Sequence, residues 1–375
     1  MSQTAAGDRY FQTERVWKIL LRIAPPVMLA QLIQALYNIV DSYFVGQYSN
    51  SGLTALSVIF PVQLIITAIA VGTGVGVNTY MARMYAFGKT RAADSTAGTG
   101  TVLAVVSWAV FAVAMLLLME PYVRTSATSL DAVSDAVLYG NIVCVGSIGI
   151  FLESIWTKVL QAGGNMRLPM LAQIAGALTN IVLDPILIFG LGPVPRMGIA
   201  GAAAATVAGQ CVAAVLTGAA AFRRPPKARV MWKYVRQIYR LGYPSIFMQM
   251  LYTVYIMALN MILAGFSDDA VTVLAIGVPA FRVIGLSFIP AVLSLMPPVF
   301  FQAIGAAGPS LLLSVVRQIC CLIPLFWLFS KISLGATWFA YPLSEVITGS
   351  LGVAFYLRQL QRWKREAPVA GPTVR

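Results

Sequence analysis

The chain contains no histidine, and its acidic residues are few: 13 Asp and Glu against 26 Lys and Arg in 375 residues. Without imidazole there is no Ser–His or Cys–His nucleophile pair and no histidine proton relay, and most transition-metal sites lose their usual ligand. The four cysteines, Cys144, Cys211, Cys320 and Cys321, sit in apolar runs without metal-ligand spacing and read as small hydrophobes in helix packing. Charge is scarce overall, at 10% of residues against about 25% in an average soluble domain. No period-two alternation of polar and apolar residues is sustained, so a β-barrel is not expected. The polar stretch 1–13 shows no signal-peptide pattern. An enzyme is not expected either, since no catalytic constellation and no Gly-x-Gly-Asp protease motif is present.

What remains is apolar. Hydrophobic residues make up 59% of the chain, and the mean hydropathy is +0.80. A hydrocarbon core of about 30 Å takes roughly 20 apolar residues per helix. Ten segments meet that need: 17–43, 53–82, 95–118, 134–157, 168–190, 198–222, 241–265, 270–305, 310–330 and 336–357. The expected fold is therefore an all-α integral membrane protein with about ten transmembrane helices. The basic residues sort by side. They gather in the N-terminal stretch (Arg9, Arg15, Lys18, Arg22), the loop 83–91, the linker 223–240 and the tail after 357. Positive charge marks the cytoplasmic side, so both termini and the linker are expected in the cytoplasm. That topogenic role accounts for the basic charge without nucleic acid. The linker divides the chain into an N-terminal lobe of six spans (1–222), a basic connector (223–240) and a lobe of four spans with its tail (241–375).

The two lobes carry an internal repeat. Pro26-Val27-Met28-Leu29-Ala30-Gln31 with Tyr37 is echoed by Pro244-Ser245-Ile246-Phe247-Met248-Gln249 with Tyr255. Leu160-Gln161-Ala162-Gly163-Gly164 is echoed by Phe301-Gln302-Ala303-Ile304-Gly305. The first half carries the stretch 62–138 between its two blocks, and the second half carries almost nothing there. Duplication in an apolar chain is a mark of secondary transporters. The second half reads as shortened by two spans, with a fusion near Pro279 and Ala280.

Carboxylates inside spans are costly and point to function by default. Four occur: Asp41, Glu153, Asp184 and Glu345. Tyr37 and Asp41 are four residues apart and share a helix face, as do Asn180 and Asp184. Each pair sets an acid beside a neutral oxygen, which suits a proton relay or a hard-cation site such as Na⁺. The repeat does not reproduce the acids: Leu259 stands opposite Asp41, and Ile323 stands near Asp184. Glu153 has Thr157 one turn away and Lys158 nearby, so a structural or snorkelling pair is the competing reading there. Glu345 aligns with Gln210 as a polar packing site. Arg282 lies close to the fusion point. Gly72-Thr73-Gly74-Val75-Gly76 lacks the Lys-Ser/Thr of a phosphate loop and reads as close helix packing.

On these residues the chain resembles the multidrug and toxic compound extrusion (MATE) transporter family. The similarity runs through Gln34-Ala35-Leu36-Tyr37-Asn38-Ile39-Val40-Asp41-Ser42, Gly72 to Asn78, Leu160 to Asn165, Asn180 to Pro185, Gly198 to Ala203, and Phe300 to Gly305. The resemblance implies two six-helix lobes around a cleft, of which this chain keeps six spans plus four. It implies export of amphipathic organic cations in exchange for H⁺ or Na⁺, with no other cofactor, from a bacterial inner membrane. It further implies a coupling site, for proton or Na⁺, at Asp41, Asn180, Asp184 and Thr206, and a pocket lined by Gln34, Tyr37 and Tyr139. Self-association to complete the shortened lobe would then be needed if a sealed lobe is required. Two other functions stay open: a non-transporting degenerate copy or partner subunit, and a flippase for lipid-linked substrates.

Overall fold

The computed structural model describes residues 16–126, 129–191, 194–264 and 283–366. Every regular element in that set is helical. Chain contacts divide it into two units, one ending at Ile246 and one beginning at Phe247.

The first unit contains α1 (Val16–Tyr48), α2 (Asn50–Ala86), α3 (Thr90–Ser126), α4 (Leu130–Gly146), α5 (Ile148–Ala162), α6 (Arg167–Phe189), α7 (Ile199–Ala221) and the first half of α8 (Ala228–Ala264). Its core is built from α2, α4 and α5 through Ile59, Ile66, Val77, Met81, Tyr139, Phe151 and Ile155. The outer face of α3 carries Val106, Val110, Val113 and Leu117, all exposed and recurring at helical spacing. A stripe of this kind meets lipid rather than water.

Among the described residues, five helices are long and apolar enough to cross a membrane, and six if the bent pair α4–α5 forms one span. The segment expected as one span over 134–157 is that pair, bent by 41° at Ser147. The break has an identifiable cause. Gly146 and Gly149 bring the chain against Val207 and Gln210 of α7 with no room for a Cβ, and the Ser147 hydroxyl donates to the Cys144 carbonyl at 2.7 Å. The segments 17–43, 241–264 and 340–357 are helical, and polar residues such as Gln31, Gln34, Asn38 and Asp41 dilute the hydropathy of the first. The segment 270–305 contributes a helix of 16 residues, about 24 Å long and short of a full crossing. The proposed fusion at Pro279 and Ala280, and Arg282 beside it, lie outside the described residues.

The basic connector expected over 223–240 is only partly a connector. Pro225 and Pro226 stop the chain from continuing α7, but from Ala228 onward it is helical and continuous with α8. The physical reason is packing. Ile238 is fully buried, and the α2 glycines admit α8 at backbone distance: a Cβ on Gly72 would collide with Ile246, and one on Gly76 would collide with the Ile238 carbonyl and Gly242. The boundary between the units therefore falls inside α8. The glycine cluster is a helix-packing device, as its sequence implied. Gly76→Val should destabilise the protein by about 1–3 kcal/mol. Thermal unfolding in detergent checks this, and an unchanged melting temperature would show that α8 does not depend on that contact.

The second unit contains the rest of α8, α9 (Phe288–Ala303), α10 (Ala307–Val315), a π-helical turn (Val316–Leu322), α11 (Ile323–Ser330), the short α12 (Leu334–Thr337) and α13 (Ala340–Glu366). Gly349 and Gly352 of α13 lie close against Pro290, Leu293 and Pro297 of α9. A small core forms from Leu259, Leu322, Phe326 and Trp338, with Ile323 against it. The positions that the repeat aligns with Asp41 and Asp184 thus sit in or against a dry apolar cluster here.

Candidate functional site

In the first unit, α1 packs on α6 and α6 packs on α7. α6 and α7 approach closely at Gly176 and Gly209, where a Cβ on either would lie within 2.7 Å of the other's carbonyl oxygen. That contact fixes the rotation of both helices and sets Asn180 opposite Thr206. The Asn180 amide donates to Asp184 Oδ1 at 3.2 Å and lies 3.5 Å from the Thr206 hydroxyl. Asp184 is 0% exposed and Asn180 is 2% exposed. Asp41, also buried, lies on α1, which packs on α6, and stands close enough for its charge to be felt at Asp184. The helical spacing that paired Asn180 with Asp184 is thus a real contact, and the four residues expected as a coupling site lie together.

The cluster is rich in acceptors and poor in donors. Asp41 Oδ1, Asn180 Oδ1 and Asp184 Oδ2 are buried without a hydrogen-bond partner among the described residues. An orphaned buried acceptor costs on the order of 1–3 kcal/mol. Three in one place make a site that a bound cation or added protons would relieve. Two carboxylates, an amide oxygen and a hydroxyl are the hard oxygen donors that Na⁺ prefers, so the residues fit either a proton or that ion.

A pocket adjoins the cluster. Its walls include Gln34, Tyr37, Glu153, Gln173, Asn180, Thr206 and Gln210. Gln34 donates to the Tyr37 hydroxyl at 3.0 Å, so these two form one polar wall on α1. Tyr139 is placed differently from the expected lining role. It is almost fully buried and accepts from Gln63 at 3.2 Å, close to Thr206 and Asp41. It therefore stands behind the pocket wall.

Glu153 also differs from the snorkelling alternative. Thr157 donates to it at 2.7 Å, whereas Lys158 turns to Gln161 at 3.0 Å. Residues five apart on a helix point about 140° away from each other, while residues four apart share a face. Glu153 is a buried acid in the pocket wall, bonded to Thr157 and Gln173, with Lys158 still near enough for the two charges to interact. Gln173 was missed as a pocket residue. It lies seven residues before Asn180 on the same face of α6, so the helical repeat of polar positions 173, 180 and 184 carried the signal. No group of three or more His, Cys, Asp or Glu that would hold a metal ion occurs among the described residues.

A second polar cluster, in the other unit, escaped sequence reasoning. Arg317 in the π-helical turn pairs with Glu345 of α13 at 2.5 Å, with a further bond from Arg317 Nε at 3.1 Å, and Ser294 of α9 also donates to Glu345. The two residues lie 28 positions apart, and only tertiary packing joins them.

A helical, multi-pass bundle with an acidic, acceptor-rich site buried between helices is the architecture of a membrane transporter. Residues 26–186 match the family model MatE. Over 206 residues the chain is 31% identical to a FAD transporter of Shewanella oneidensis, covering 54% of this chain and 45% of that one. Over 291 residues it is 25% identical to a probable multidrug resistance protein NorM of Thermotoga maritima, covering 75% and 61%. The fold matches a MATE crystal structure in a bent conformation with a TM-score of 0.82 at 19% identity, over 98% of this chain and 99% of that one. These likenesses support a MATE family transporter, with the match to the family model confined to residues 26–186. It spans about half to three fifths of the length of these two curated relatives.

Proposed function

We propose that the chain is a cation-coupled exporter of amphipathic organic cations. Asp41, Asn180, Asp184 and Thr206 bind the coupling H⁺ or Na⁺, and the adjoining pocket binds substrate. One observation carries this reading: Asn180 and Thr206 both line the pocket, and the Asn180 amide reaches Asp184 Oδ1 while lying beside the Thr206 hydroxyl. A cation bound by the two carboxylates draws the Asn180 amide oxygen toward itself and turns the amide away from its present partner. The pocket wall changes with it. Cation and substrate then alter each other's affinity, and the effect is reciprocal by thermodynamic necessity. Exchange follows if each disfavours the other. Pro185, directly after Asp184, leaves the Ile181 carbonyl without its helical donor, which supplies a local place to bend α6.

The pocket chemistry favours a cationic substrate. Glu153 is the acid in its wall, and no Lys or Arg lines it. An anion such as FAD, the substrate named for the Shewanella relative, would meet no counter-charge here. A lipid-linked anionic substrate is disfavoured in the same way, since Arg317 is committed to Glu345.

The test is efflux of a fluorescent organic cation from proteoliposomes holding the purified chain, under an imposed pH or Na⁺ gradient, with FAD as comparator. Gradient-dependent movement of the cation and none of FAD is expected. Movement of FAD alone would reverse the substrate assignment. No movement of either, with protein verified in the vesicles, would favour the partner-subunit reading.

A further inference from the structure

The start of α8 carries a feature that coupled export does not use. Arg229, Lys233, Arg236 and Arg240 recur at helical spacing and line one surface groove with Trp232 and Gln237. At 100° per residue, the four cations and Trp232 occupy one side of the helix, and Ile238 lies diametrically opposite. That opposite side is pinned: Ile238 is fully buried, and Tyr234 packs edge-on against Tyr80 at 6.4 Å. The preceding turn is pinned as well, because the Arg224 carbonyl lies 2.5 Å from where a Gly98 Cβ would stand. The basic face is therefore a fixed surface about 16 Å long, not a loose charge run.

Among the described residues its charges have no acidic partner. Arg223, just before the helix, finds Asp94 at 3.4 Å, whereas no acidic residue lines the groove. Trp232, 74% exposed, stands beside the cations. An amphipathic indole next to a row of fixed cations suits the boundary between headgroups and water, where tryptophan concentrates. Topogenesis needs basic residues near a span end, but it does not need them aligned, unpaired and flanked by an aromatic.

We infer that the Arg229–Arg240 face of α8 is a binding site for the phosphodiester headgroup of an anionic phospholipid in the cytoplasmic leaflet. The cations hold the phosphate oxygens of one or two headgroups, and Trp232 packs on the glycerol and upper acyl region.

The experiment is native mass spectrometry of the delipidated full-length protein, titrated with phosphatidylglycerol and with phosphatidylcholine of the same chains. Phosphatidylglycerol is expected to bind at least about tenfold more tightly, and Arg229→Gln/Arg236→Gln to weaken it by about fivefold for each cation removed. Trp232→Ala, which keeps all the charge, should weaken both lipids. Arg223→Gln/Arg224→Gln, with the same charge loss outside the groove, should change binding less than twofold. Equal affinity for the two lipids overturns the inference whatever the variants do. So does an equal loss in the Arg223/Arg224 control. Displacement of the lipid by glycerol phosphate at matched concentration would mark a free-anion site instead. None of these residues belongs to the transport machinery, so failure here leaves the export reading intact.

Discussion

Asp184→Asn is expected to abolish gradient-driven transport while leaving the protein folded and no less stable. The substitution keeps size and shape, and its amide can still meet Asn180. It removes the ionisable oxygen pair at the most deeply buried position of the cluster. Losing even an outer partner of a cation site costs roughly 10–100-fold in affinity, so loss of a ligating carboxylate should cost about 100-fold or more. Stability moves the other way. A buried carboxylate with an unpartnered oxygen opposes folding whenever it is ionised, so its neutral mimic should melt at the same temperature or higher. Asp41→Asn should behave alike. The second unit supplies the control in its own sequence: the aligned positions Leu259 and Ile323 contribute to an apolar cluster, so the bundle geometry does not itself demand acids. Transport rates in proteoliposomes and melting curves on the same preparations check both halves. Full transport by Asp184→Asn would end the coupling role and return the acids to mere helix-packing groups.

The second large effect is expected at Arg317 and Glu345. Removing one partner of a buried ion pair leaves an uncompensated charge and costs about 3–5 kcal/mol. Glu345 is the more buried partner, with its side chain 7% exposed against 22% for Arg317. Arg317→Met should therefore be the worse single change, stranding Glu345 with Ser294 as its remaining donor. Glu345→Gln should cost less, because Arg317 is the less buried partner. The double variant Arg317→Met/Glu345→Gln should recover most of the loss, since no buried charge remains. A double-mutant cycle on unfolding free energies measures the coupling. Additive single effects would show that the pair does not act as a unit. Arg317 lies in the π-helical turn, a widened turn of the kind often found where function needs an off-register side chain. The turn brings Arg317 within reach of Glu345, and it also leaves Gln318 Oε1 buried without a partner among the described residues.

Much of this protein is determined by sequence alone. Apolar run length and scarce charge fix a helical membrane bundle, because a chain in lipid must satisfy its backbone internally. The i, i+4 spacing fixes the Asn180–Asp184 contact, because it is geometry within one helix. The glycines of 72–76 announce close packing, because nothing else fills that role in an apolar span. What only the tertiary structure decided concerns relations between helices. Glu153 bonds Thr157 and lines a pocket, Tyr139 lies behind the wall rather than in it, and Arg317 finds Glu345 across two elements. The residues from 228 to 240, expected as connector, became the ordered start of α8. Each of these depends on how far a helix is rotated about its axis and which neighbour it meets. Those quantities are set by a few backbone-to-backbone contacts, at Gly76 with Ile238 and Gly176 with Gly209, that no periodicity along a single segment can encode.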